Sequence, residues 1–208
     1  MLEEQRSEDW FAQRVGKVTA SALYKVMART KTGYGADRAN YHAQLVAERL
    51  TGRPADSFSN AAMQWGIEQE AEARRVYSEM IGEAVAEIGF VDHPTLEMVG
   101  ASPDGLVGFD GLVEIKCPNT ATHIATLTGA GIDKKYILQM QMQMACTERQ
   151  WCDFASFDPR LPDEMRLHVR RVERDDAMLA EIAAEVVPFL AEVSTTVEQL
   201  SAEYRKAA

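Results

Sequence analysis

The sequence predicts an α/β fold built around a mixed sheet with helices on its flanks. Helical periodicity dominates residues 8–81, strand-like alternation replaces it from 83 to 117, and helices, two more strands and a long helix follow. That order suits a sheet covered by helices better than a bundle or a sandwich. With 208 residues, 46% of them apolar, the chain can bury one full core, so 1–208 is expected to be a single domain.

The elements follow from local chemistry. Residues 8–16 begin as a short helical piece, with Arg14 at the turn before Gly16. Thr19–Ala28 has a capping residue and an apolar stripe of Leu23, Val26 and Met27, which predicts a helix. Residues 29–37 are polar and contain glycine, as a loop would. A helix is expected over 38–51 with Tyr41, Leu45, Val46 and Leu50 inward, ended by Gly52-Arg-Pro54. Asn60 is a candidate cap for a helix over 61–81, which Gly82 closes. Val85 to Val91, Met98–Ala101 and Leu112–Lys116 are expected strands. Asp110-Gly111 is the turn signal joining the second to the third, and Cys117-Pro118 ends the third. Helices are expected over 121–130 and 133–147. In the second, alternating Gln and Met look strand-like, but length, the Asp133 start and good helix formers favour helix. Strands over 151–157 and 167–172 precede an amphipathic helix, about 175–206, that Pro188 should kink.

Composition excludes several classes. No apolar run reaches the roughly 18 residues of a membrane span, and the acidic, polar N-terminus does not read as a secretory signal. Cys117, Cys146 and Cys152 have no metal-ligand spacing and read as reduced thiols. A net charge of −10 argues against a sequence-blind DNA coat, which would be basic, but leaves room for local phosphate contacts.

The chemistry concentrates in Gly100–Pro118. Asp104 follows Ser102-Pro103 at a turn, and Glu114 and Lys116 sit in the apolar run Leu112-Val113-Glu114-Ile115-Lys116. Side chains two apart on a strand share a face, roughly 7 Å apart. Charged groups in such a strand need a partner. Two carboxylates suit a hard divalent cation, and a neighbouring lysine suits work on water. The alternative is a charged hairpin in which Lys116 pairs with Glu114 or Asp104. Upstream, Glu70 offers a third carboxylate, and downstream Gln139 could face the same site. Arg14 with Thr19 and Ser21 at a helix start would suit a phosphate, whereas ordinary capping explains Thr19 and Ser21 equally simply. Lys31 either touches a phosphate or lies in a solvated loop.

These residues, with Trp10…Arg14-Val-Gly16, Val18-Thr-Ala-Ser21, Trp65-Gly66…Glu70, Tyr136…Gln139 and Phe157-Asp-Pro-Arg160, resemble phage lambda exonuclease and the YqaJ-type viral recombinases. Several motifs in order across one chain are more specific than any one. The resemblance implies a restriction-endonuclease-like core and magnesium-dependent digestion of linear duplex DNA from a 5′-phosphorylated end. Two ions are implied, with manganese a possible substitute. A 3′ single-stranded tail would be left for a single-strand annealing protein, the subunits would form a ring-shaped homotrimer, and the setting would be the cytoplasm of a bacterial host. Asp104, Glu114 and the Ile115 carbonyl would be metal ligands, with Glu70 at a second ion or its water. Lys116 would act on the attacking water and Gln139 would support the site. Arg14, Thr19 and Ser21 would hold the 5′-phosphate, Ser102 and Lys31 would add contacts to DNA, and Met63 would be a wedge at the end base pair. Two departures stand out: Thr122-His123 where the family has an arginine, and Lys31 in place of an arginine. A related endonuclease or repair nuclease, and a non-catalytic DNA-end-binding protein, are the competing functions.

Overall fold

The computed structural model describes residues 5–55 and 61–204. The expected cap Asn60 lies outside them. Chain order is α1 (Glu8–Arg14), β1 (Val18–Thr19), a 3-10 turn (Ala20–Ala22), α2 (Leu23–Val26), β2 (Arg29–Thr30), β3 (Gly33–Tyr34), α3 (Ala36–Thr51) and α4 (Ala61–Ile81). Then come β4 (Val85–Ala86), β5 (Val91–Asp92), β6 (Val99–Ala101), β7 (Gly105–Val107), β8 (Gly111–Lys116), α5 (Thr120–Leu127), α6 (Lys134–Thr147), β9 (Trp151–Phe157), β10 (Leu167–Glu173) and α7 (Asp176–Tyr204).

The main sheet has the order β10-β9-β8-β7-β4, with β8 and β9 parallel and the other pairs antiparallel. β8 is therefore central and buried on both faces. Val113 and Ile115 pack with Ala73, Val76 and Tyr77 of α4, while Leu112 packs with Met140 and Met144 of α6. The second sheet, β1-β6-β5, belongs to another cluster that includes Leu23, Tyr41, Leu45, Leu138, Met142, Ile182, Val186 and Phe189. α6 runs between the two clusters, and residues 138–146 are all buried. That explains the Gln–Met alternation: a helix enclosed all round needs no amphipathic stripe.

Several expectations are corrected. Thr19–Ala28 is not one helix. Thr19 is extended and caps nothing with its side chain, and only one α-helical turn follows the 3-10 turn. The 29–37 loop contains a small hairpin whose Arg29 and Tyr34 both bond Glu185 of α7. Val85 to Val91 splits into β4 and β5, which join different sheets. Asp110-Gly111 follows β7, not β6, so the hairpin partner of β8 is the three-residue β7. Leu50, expected inward, is exposed, and Phe189 is among the buried residues of α7. α7 is one helix with Pro188 inside it. No helix among the described residues is long and apolar enough to cross a membrane.

Candidate active site

β8 carries Glu114 into the interior, where its side chain is wholly buried. A buried carboxylate loses several kcal/mol of hydration and must recover it from donors. Three supply it. Lys116 Nζ bonds Oε1, Gln139 Nε2 reaches Oε1 at 2.7 Å, and Gln143 Nε2 reaches Oε2 at 2.6 Å. Gln139 and Gln143 lie one turn apart on α6, so both amides face β8. Gln141 points elsewhere, to the Glu173 carbonyl and the Asp175 N–H.

Asp104 sits in the turn between β6 and β7. Its Oδ2 accepts the Ile115 N–H at 2.7 Å, which fixes it against the β8 backbone. Burial pushes its carboxyl well above the usual range, and Glu114 and then Glu70 push it further against the opposing pull of Lys116. Burial alone would lower Lys116, but Glu114 and Asp104 outweigh it and hold the ammonium charged beyond its ordinary pH. Tyr136 lies under that ammonium, 5.2 Å from Nζ to ring centre. Glu70 of α4 approaches through Arg74, whose Nη2 bonds Glu70 Oε1 at 2.7 Å and whose Nε bonds the Asp104 carbonyl at 3.0 Å. Arg6 takes Glu70 Oε2 at 2.8 Å. Among the described residues no three His, Cys, Asp or Glu side chains close around a shared point. The donor set is nevertheless chemically suited to a hard cation: the buried Glu114 and partly buried Asp104 carboxylates repel one another when both are charged, and a divalent ion between them would relieve the repulsion.

A second locus adjoins Ser102. Its Oγ accepts Trp10 Nε1 at 2.9 Å and Arg14 Nη1 at 3.2 Å, and the Arg14 guanidinium stacks 4.0 Å from the Trp10 ring centre. Burial lowers the Arg14 pKa, partly offset by Tyr41 and Glu48. Arg14, Thr19, Ser21 and Met63 all line one cleft of about 650 Å³, together with Lys17 and Lys25. The turn that delivers Arg14 requires Gly16. Its φ is +69°, and a Cβ there would lie 2.6 Å from Arg49 Cγ. Lys31, by contrast, stands exposed at the turn of the β2–β3 hairpin, outside this cleft. His123 is fully buried, its ring bonded to Ser156 Oγ and the Met165 carbonyl, while Thr122 is exposed.

Thus Asp104, Glu114, Lys116 and Gln139 converge, Glu70 borders them, and the Arg14 group gathers separately. Sequence reasoning missed Gln143 and Arg74. Helical spacing from Gln139 and from Glu70 points to each, since residues four apart share a face.

The fold is the restriction-endonuclease-like one of the Pro-Asp…Glu-x-Lys nucleases. A YqaJ-like viral recombinase domain matches residues 9–150, and the chain belongs to that family. LHK-Exo, an alkaline exonuclease from Laribacter hongkongensis, is 53% identical, with a TM-score of 0.89 over 97% of this chain and 100% of its own. The same protein in complex with dAMP gives 54% identity and a TM-score of 0.90 over the same shares. A phage-related exonuclease from Haemophilus somnus 129PT shares the fold, at 18% identity and a TM-score of 0.64 over 90% of this chain and 96% of its own. The uncharacterized protein R354 of Acanthamoeba polyphaga mimivirus is 29% identical over 73% of this chain, which spans only 28% of that curated relative.

Proposed function

We propose that this chain is a metal-dependent exonuclease that digests linear duplex DNA from a 5′-phosphorylated end and leaves a 3′ single strand. The observation that carries this is the pairing of buried Glu114 with Asp104 beside a charged Lys116. In this reading Asp104, Glu114 and the Ile115 carbonyl hold magnesium, for which manganese would substitute, and Glu70 serves a second ion. Bound there, the ions would stabilise charge on the attacking and leaving oxygens of the phosphodiester and ease hydroxide formation.

The side chains divide the remaining work. Gln139 holds Glu114 in place. Lys116 is held protonated by its carboxylate neighbours, and its ammonium would attract the scissile phosphate; were bound cations to offset those carboxylates, it would release that proton to solvent and only then, as the free amine, take one from the attacking water. Arg14, with Thr19 and Ser21, holds the terminal phosphate in the cleft, Ser102 orients Arg14, Lys31 contacts the DNA backbone, and Met63 bears on the end base pair. The 3′ strand would pass to a single-strand annealing protein. The working form would be a homotrimeric ring in the cytoplasm of a bacterial host, encoded by a phage or prophage.

A time course on duplexes labelled at each end, with and without a 5′-phosphate, tests this. Loss from the phosphorylated 5′ end, stopped by a chelator and restored by magnesium, is expected. Lys116→Ala should cut the rate by about 10²–10⁴-fold while leaving DNA binding intact. Cleavage of covalently closed circles would show an endonuclease instead, and metal-independent end binding without hydrolysis would refute catalysis altogether.

A further inference from the structure

Gln143 is the one donor on Glu114 that the sequence pattern did not single out, and it is arranged at a cost. Its Nε2 lies 2.6 Å from Glu114 Oε2 and 3.5 Å from the Ser102 carbonyl, which precedes Pro103 and Asp104. The side chain is fully buried, and its Oε1 has no hydrogen-bond partner among the described residues. Turning the amide over would set Oε1 against the carboxylate, acceptor against acceptor. The orientation is thus imposed by Glu114, and the orphaned oxygen is the consequence. An unpaired buried acceptor costs about 1–3 kcal/mol. The same helix fills neighbouring buried positions 140, 142 and 144 with methionine, which would carry no such cost.

We propose that Gln143 is a positioning residue. It ties the Glu114 carboxylate of β8 to the turn that carries Asp104, and so sets the spacing of the two acids that would share a cation. Gln139 and Lys116 both bond Oε1, so Gln143 alone among these donors fixes Oε2 and with it the rotation of the carboxylate plane. The inference rests on the nuclease reading above.

Gln143→Met keeps length and removes the donor. Calorimetric titration with magnesium or manganese alone, without DNA, should show affinity weakened by roughly 10–100-fold, the range for outer partners of metal ligands. Turnover should fall by a similar factor while KM for duplex DNA stays within about twofold, because the Arg14 cleft is untouched. Gln143→Asn, which keeps the amide but withdraws it by one methylene, should behave alike and serves if the methionine variant does not fold. Gln141→Met is the control: equally buried, bonded away from Glu114, it should lower the melting temperature without moving metal affinity or turnover. Wild-type metal affinity in both Gln143 variants, or the same loss in Gln141→Met, would overturn the assignment. Wild-type protein that shows no metal-stimulated hydrolysis would sink the nuclease reading instead.

Discussion

Replacing Asp104 by asparagine measures what the site costs the fold. The folded carboxyl keeps its proton to higher pH than the unfolded one, chiefly through burial and then through Glu114. Between those two values the folded state binds more protons, so stability falls as pH rises through the window. In chelator-treated protein, Asp104→Asn should therefore melt above wild type near pH 7. The two should converge as pH drops toward about 4, the unfolded value. The asparagine carbonyl can still accept the Ile115 N–H that Asp104 Oδ2 now takes at 2.7 Å. Each kcal/mol relieved should appear as about 2–4 °C, with nuclease activity lost. A variant that melts below wild type at pH 7 would show that Asp104 is stabilising and that its carboxylate is not opposed by Glu114. Residue identity was the most legible level of this chain. Glu114 and Lys116 stood out because charge in an apolar strand is costly, Asp104 because it follows Ser102-Pro103 at a neighbouring turn, and the structure brings the three together. Gln143 stayed hidden because three alternating methionines, Met140, Met142 and Met144, masked which glutamines shared a face.

At the scale of elements, legibility tracked length. The enclosed helix α6 was readable from its Asp133 cap, which accepts the Lys135 N–H at 2.9 Å, and the seven-residue strands β9 and β10 fell close to their expected bounds. Two- and three-residue strands were not readable, because their partners create them. β7 exists by pairing with β8, and β4 by pairing with β7, while β5 turns to the other sheet. The hairpin β7–β8 is also where close approach replaces propensity. A Cβ on Gly111 would fall 2.0 Å from the Trp151 ring, and that indole carries the Arg171 guanidinium 3.5 Å from its centre. Gly111→Ala should thus force the indole or the β8–β9 register to shift, at about 1–3 kcal/mol. Urea unfolding should show a lower midpoint at unchanged slope; an unaltered midpoint would mean the ring moves freely. Since β8 carries Glu114, a loss of turnover larger than the loss of stability is the expected companion effect.

For the whole molecule the governing fact is a net charge of −10 in a chain proposed to act on a polyanion. Side-chain pairing sharpens the problem. Among the described basic residues, Arg38, Arg74, Arg160 and Arg171 are already engaged by Glu192, Glu70, Asp158 and Asp153. Those four cations are therefore not free to grip a DNA backbone. Threading through a ring would hold the substrate by topology instead, with few phosphate contacts at Arg14 and Lys31. Counterion release then sets the signature. Each neutralised phosphate contributes about −0.9 to the slope of log affinity against log salt, so end binding should show a slope of only about −2 to −4. Resistance to competitor DNA after loading should be nearly salt-independent. Sedimentation should give a trimer under the same conditions. A monomer in sedimentation, or a slope near the −10 of an extended basic interface, would remove the ring and require a basic surface formed by some other assembly.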